Sequence, residues 1–233
     1  MIEFYGKTAP RDIPAYTIKD APKYPLIPSE TINYWVKGRN YPTTNGVNFF
    51  KPLILTRELK PTLLSFTNLV EIHVVRAIRK DHKIQLDKVR KALDYIYEQF
   101  QVPHPLAREE FRTDGVDLFI EKYGFLINAS KPGQTDLKDA LNTHLERIEP
   151  DPTGLAIKLY PFTRSQEGDN PRIFVIDPRI AFGHLVIADT RIAISVLAER
   201  HHRGDSIDDL ADDYECDHSI IEEAIRCEYL PTA

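Results

Sequence analysis

Apolar residues recur at helical spacing in several blocks of the chain. Phe66, Leu69, Val70, His73, Val74 and Ala77 predict a helix over 65–80, and Val89, Leu93, Ile96, Tyr97 and Phe100 another over 87–101, with Asp87 as its cap. Behind Thr135, Leu137, Leu141, Leu145 and Ile148 predict a helix over 136–148. Nearer the N-terminus, Pro28, Ser29 and Gly38 frame a helix from Glu30 to Lys37, with Ser29 as cap and Ile32, Trp35 and Val36 as its apolar stripe. A shorter helical piece is expected around residues 18–24. Alternating patterns predict strands at 154–162, through Leu155, Ile157 and Leu159, and at 173–176. Leu118, Ile120, a Tyr123-Gly124 turn and Phe125 to Ile127 predict a β-hairpin over 116–129, and Asn45-Gly46 predicts a hairpin or wing within 41–55. Three helices are expected at about 193–203, 207–214 and 218–228, the second capped by Ser206 and the third opened by Asp217 or His218. The polar stretch 164–171, with Gly168, Asn170 and Pro171, marks a boundary before them.

Charge divides the chain. The net charge is −5, yet residues 1–101 carry +6 and residues 102–233 carry −11. A basic front half suits phosphate, because neutralising a nucleic-acid backbone releases its counterions. An acidic back half is repelled by DNA and is freer to meet protein. No apolar run reaches the roughly 20 residues needed to span a bilayer, and the N-terminal residues lack a secretory pattern, so a cytoplasmic protein with no membrane partner is expected. Cys216 and Cys227 form neither a disulfide framework nor a metal set, and are expected to be small, partly buried side chains.

The pattern at 16–39 is that of two short helices joined by a tight turn. The second keeps Glu30, Thr31, Asn33, Tyr34 and Lys37 on its polar side. In a helix-turn-helix the apolar stripe fixes the recognition helix and the polar face enters the major groove. Asn33, Lys37 and Arg39 have the donors and acceptors to read base edges; Thr31 and Tyr34 offer hydroxyls to phosphate, and the helix start at Ser29 offers backbone N–H groups. A generic helical hairpin is the alternative. Tyr16, Thr17, Ile18, Lys19, Ala21, Tyr24, Ile27, Pro28, Thr31, Ile32 and Trp35 follow an order that resembles the MerR-like helix-turn-helix. Pro22 and Pro25 depart from it, because proline removes a helix hydrogen bond and clashes with the preceding turn.

Asp177, Pro178, Gly183, Ile187, Thr190, Arg191, Ile192, Gly204, Ser206, Ile207, Leu210, Tyr214, Ile221 and Ala224 resemble the pattern of the domain-of-unknown-function family 433. His184, Leu185 and Asp189 depart from it. The resemblance implies an antitoxin, often paired with a PIN-domain ribonuclease toxin. The whole chain is similar to longer antitoxins of VapB type, which place such a domain behind a DNA-binding unit. The expected fold class is mixed, mainly α with small β elements: an N-terminal helix-turn-helix and helical dimerisation region over 1–101, an α+β middle over 102–170, and a three-helix homeodomain-like domain over 171–233. The implied partners are double-stranded operator DNA, a PIN-domain toxin and a second copy of the chain.

The last two helices also look like a helix-turn-helix, but Asp208, Asp209, Asp212, Asp213, Glu215, Asp217, Glu222 and Glu223 would repel phosphate, so this face is expected to bind protein. Chemistry-bearing clusters are sparse. His201 and His202 are adjacent on a helix and diverge, as do Glu71 and His73, and His73 fits a satisfied core histidine. No phosphate loop, nucleophile elbow or zinc spacing is present, so neither an enzyme nor a cofactor is expected. Three further readings remain open at this point: a stand-alone transcriptional regulator, an interaction module that binds no DNA, and a sensor of a small molecule in the 116–163 region.

Overall fold

The computed structural model describes residues 8–19, 21, 27–44, 46–57, 59–79, 86–127, 131–164 and 171–229. Its centre is helix α2, Phe66–Arg79, which buries every residue from Phe66 to Val75 together with Ala77 and Ile78. Apolar residues around its whole circumference make a helix that other elements must enclose. Helix α5, Lys131–Leu145, and the short 3-10 turns Pro10–Asp12 and Pro105–Ala107 pack against it. Helix α2 is thus enclosed by other elements of its own chain.

Helix α3, Leu86–Phe100, buries Val89, Ala92, Leu93 and Ile96. It starts one residue before Asp87, which lies in the first turn instead of capping it. Helix α3 lies along α4, Val116–Ile127, which continues a π-helical turn over Phe111–Gly115. This corrects the hairpin expected at 116–129. Phe111, Gly115, Val116, Phe119, Ile120 and Gly124 are buried, a helical spacing; Leu118 is only half-buried. Leu118 and Ile120 imitate alternation only when taken alone.

A four-stranded antiparallel sheet follows in the order β5-β6-β7-β8: Ile148–Pro150, Ala156–Leu159, Phe174–Ile176 and Leu185–Ile187. Ile148 pairs with Leu159, Leu159 with Ile176, and Phe174 with Ile187. Ile148, expected at the end of α5, therefore starts a strand. Strand β6 buries Ala156 and Leu159, not the alternating set expected. The sheet draws two strands from each side of the polar 164–171 stretch, and most of that stretch lies outside the described residues.

Three helices close the chain: α6 (Ile194–His202), α7 (Ile207–Tyr214) and α8 (His218–Glu228). Ser206 caps α7 as expected. Its hydroxyl accepts from the Asp209 N–H at 3.1 Å, and the Asp209 carboxylate accepts from the Ser206 N–H at 3.2 Å. Asp217 is the N-cap residue of α8 without a side-chain bond. Helices α6 and α7 pack on α8 through Leu197, Leu210, Ile221 and Ala224. At the other end, β1 (Tyr16–Thr17) pairs antiparallel with β4 (Leu63–Leu64).

Candidate nucleic-acid interface

Helix α1, Ser29–Lys37, realises the expected apolar stripe: Ile32, Trp35 and Val36 are buried. Its start differs from the expectation. Pro28 is the N-cap residue, Ser29 is the first helical residue, and no side chain caps the end. A proline there has no backbone N–H to leave unpaired. The Pro28 carbonyl accepts from the Thr31 and Ile32 N–H groups at 2.9 and 3.2 Å. The partner helix expected at 18–24 lies largely outside the described residues. Its approach is not helical, since Tyr16 and Thr17 are strand and Ile18 and Lys19 form a turn.

The polar residues face away from the core. Ser29, Glu30, Lys37 and Arg39 are exposed, and Thr31, Asn33 and Tyr34 are half-exposed. They are not all independent. The Tyr34 hydroxyl donates to the Glu30 carboxylate one turn earlier, and the Arg39 guanidinium lies 4.9 Å from the Tyr34 ring centroid. The bond to Glu30 is the first cause of a raised Tyr34 pKa. Tyr34 can serve a phosphate only by releasing Glu30.

Gly38 ends α1 with φ +73°, and its N–H donates to the Tyr34 carbonyl at 2.9 Å. The chain then turns directly into the hairpin of β2, Arg39–Thr43, and β3, Gly46–Phe50. A hairpin forms where one was expected, but Thr43 pairs with Gly46 across its tip, so Gly46 is the first residue of β3 and not part of the turn; Asn45 lies outside the described residues. Pairing of Asn40 with Phe49 and of Pro42 with Val47 puts an apolar row on one face, where Val47 is 71% and Phe49 56% exposed. The strap after β3 anchors α1 from below. The Leu53 and Ile54 N–H groups both donate to the Trp35 carbonyl, at 2.7 and 3.0 Å.

The acidic C-terminal face is partly committed to the chain itself. Arg200 holds Asp205 at 2.6 Å and Asp213 at 2.7 Å, and Glu223 holds Arg164 at 2.9 Å and Arg226 at 2.7 Å. Asp209 serves the α7 cap, and Asp208 lies 3.0 Å from His218. Among the described residues, Asp212, Glu215, Asp217 and Glu222 keep their carboxylates free for a partner. Sequence patterning alone treated all eight as equivalent.

The remaining candidates are structural. His73 is buried, and its Nε2 lies 3.0 Å from the His144 carbonyl. Glu71, also buried, points elsewhere, with its Oε2 3.0 Å from His104 Nδ1 and 3.2 Å from Asn68 Nδ2. His201 Nδ1 lies 3.0 Å from the Asp205 carbonyl. Cys227 is buried, which raises its thiol pKa to about 11, and Cys216 is half-buried. Among the described residues no group of three or more His, Cys, Asp or Glu could hold a metal, and no helix is long and apolar enough to cross a membrane.

Comparison with known proteins bears on the whole chain. Residues 175–226 match the family described as "Protein of unknown function (DUF433)". Over 219 residues the chain is 25% identical to a Mycobacterium tuberculosis protein named "Putative antitoxin VapB45", covering 87% of this chain and 89% of that protein. The fold resembles the crystal structure of Rv2018 from Mycobacterium tuberculosis, with a TM-score of 0.66 and 21% identity, covering 92% of this chain and 98% of that one. The chain is therefore similar, over most of its length, to a mycobacterial protein named as an antitoxin, and residues 175–226 match the DUF433 family model.

Proposed function

We propose that this protein is the antitoxin of a type II toxin–antitoxin pair, a non-enzymatic cytoplasmic regulator. It binds operator DNA through α1 and neutralises a PIN-domain ribonuclease through its acidic C-terminal half. The observation that carries the DNA reading is the orientation of α1. Ile32, Trp35 and Val36 dock inward, while Asn33, Lys37 and Arg39 stay accessible, and a hairpin follows the helix directly after Gly38. A duplex presents base edges to such a face and phosphates to its flanks. Ser29, Glu30, Thr31 and Tyr34 then border the groove. The antitoxin reading is supported by the length over which the chain resembles its mycobacterial relative. In the C-terminal half, the unpaired carboxylates of Asp212, Glu215, Asp217 and Glu222 suit the basic, RNA-binding cleft of a ribonuclease. Two copies reading a palindrome would complete the repressor.

The test is fluorescence anisotropy with a labelled duplex from upstream of the protein's own reading frame, at several salt concentrations. Asn33→Ala is expected to cost about 1–3 kcal/mol of specific affinity, as for loss of a bidentate base contact. Lys37→Ala and Arg39→Ala, which remove donors to base edges, are each expected to weaken specific affinity by a similar amount. Equal affinity for this duplex and for an unrelated one would overturn the DNA reading. Failure of the chain to co-purify with, and inhibit, the nuclease encoded beside it would overturn the toxin reading.

A further inference from the structure

A cleft of about 360 Å³ opens between the N-terminal 3-10 turn, the start of α2, the turn that carries His104, and the strap after the hairpin. This volume falls in the usual range for small-molecule sites. Its character is mixed in a specific way. Leu55, Leu63, Pro14 and Leu155 supply apolar wall, while Arg57, Arg108 and His104 supply cationic or potentially cationic groups.

The charges along this cleft are unequally satisfied. Arg11, also on the wall, is neutralised by Asp151 at 2.6 Å, whereas Asp12 accepts from the Thr67 hydroxyl at 2.8 Å and keeps its negative charge, which acts on His104. His104 leans on the fully buried carboxylate of Glu71. Among the described residues the Arg108 guanidinium is held by its Nε, which donates to the Pro103 carbonyl at 3.3 Å and leaves the two terminal nitrogens for a ligand. Among the described residues neither Arg57 nor Arg108 has a carboxylate partner. Two guanidinium groups bordering an apolar-walled cleft form a receptor for a planar or tetrahedral oxyanion, because each offers forked donors to two oxygens at once.

We propose that this cleft binds a small organic anion, a molecule with one carboxylate or phosphate head and a compact apolar body. The head sits between Arg57 and Arg108, and the body lies against Leu55, Leu63 and Leu155. The inference does not depend on the DNA-binding reading. It does place the ligand against the strap whose Leu53 and Ile54 N–H groups hold the Trp35 carbonyl of α1, and whose Leu55 carbonyl accepts from Asn68 Nδ2 at 2.9 Å.

The test is isothermal titration of the full chain with three probes: phenyl phosphate, benzoate and inorganic phosphate. Phenyl phosphate or benzoate is expected to bind, and whichever binds tighter identifies the head group. Phenyl phosphate is expected to bind more tightly than inorganic phosphate, which lacks the apolar body. Arg57→Gln and Arg108→Gln are each expected to weaken binding about tenfold or more, as for loss of a charge-assisted hydrogen bond. Arg203→Gln, an exposed arginine on the C-terminal helices, serves as the control and leaves binding unchanged. Both site arginines are surface groups, so circular dichroism should show the variants folded. Absence of heat from either aromatic probe up to about 10 mM, retention of affinity in both site variants, or an equal loss in the control would overturn the proposal.

Discussion

The Tyr16 hydroxyl donates to the Gly183 carbonyl across 2.9 Å, tying the first strand to the turn between β7 and β8. Gly183 has φ +78°, and a Cβ there would stand 2.1 Å from the Tyr16 oxygen. Gly183→Ala therefore meets both an unfavourable backbone conformation and a clash, and is expected to destabilise the fold by about 2 kcal/mol or more. Tyr16→Phe leaves the carbonyl without its donor and is expected to cost about 1–2 kcal/mol. Urea denaturation of both variants checks the order. Equal stability of all three proteins would mean that the two ends are not joined through this contact.

Gly38 is the joint between helix α1 and its hairpin. A Cβ at this position would lie 2.3 Å from the Phe50 carbonyl and 2.7 Å from the Phe49 ring, at φ +73°. Backbone cannot yield as a flexible side chain can. Gly38→Ala should displace the hairpin from α1 and lower the midpoint of thermal unfolding, at a cost of roughly 1–3 kcal/mol. Proteolysis of the β2–β3 segment should accelerate in the same variant. An unchanged cleavage rate would show that the hairpin holds its place without the glycine.

His73 makes the fold sensitive to acid. Burial holds its pKa well below the ordinary histidine value, with the neighbouring His144, Arg76 and Arg147 disfavouring charge further; the bond to the His144 carbonyl opposes this. The depressed folded pKa fixes the sign. Above the unfolded value, near 6.5, neither state is protonated and the stability is full. As pH falls below it, the unfolded chain gains a proton that the folded chain refuses, and stability declines by up to about 1.4 kcal/mol per pH unit. His104 works in the opposite sense. Its bond to Glu71 raises its pKa, so its contribution is full at low pH and is lost as pH rises through the folded value. Chemical denaturation at pH 5 and pH 7 should show His73→Gln losing less stability on acidification than the parent. A parallel decline in both would assign the acid sensitivity elsewhere.

Ser206 closes a capping box at the start of α7, with two reciprocal hydrogen bonds to Asp209. Ser206→Ala removes the hydroxyl partner of the Asp209 N–H and is expected to cost about 1 kcal/mol. Asp209→Ala removes the other half and should cost a comparable amount, while the double variant falls short of the sum because the two groups share one motif. Strict additivity in a double-mutant cycle would show the two bonds to be independent.

How much of this molecule is written in its sequence depends on the range of the interactions. Helices α1, α2, α3, α6, α7 and α8 are legible because a helix satisfies its hydrogen bonds locally and prints its buried side at a fixed period. The inward set Ile32, Trp35 and Val36 could be read for the same reason, and with it which residues of α1 remain accessible. The β2–β3 hairpin is legible because its two strands are neighbours in sequence. Helix α4 was not, since Leu118 and Ile120 fit either period until α3 decides which face is covered. The four-stranded sheet could not be read either. Strand β7 was expected at 173–176, but β5 and β8, of three residues each, are too short to show a period, and Leu159 finds Ile176 only through folding. Tertiary structure alone also separates the C-terminal carboxylates into those held by Arg164, Arg200 and Arg226 and those left free. The cleft beside Arg57 and Arg108 is equally a product of tertiary structure, because its walls come from segments a hundred residues apart and a pattern along the chain carries no record of which distant side chains face one another.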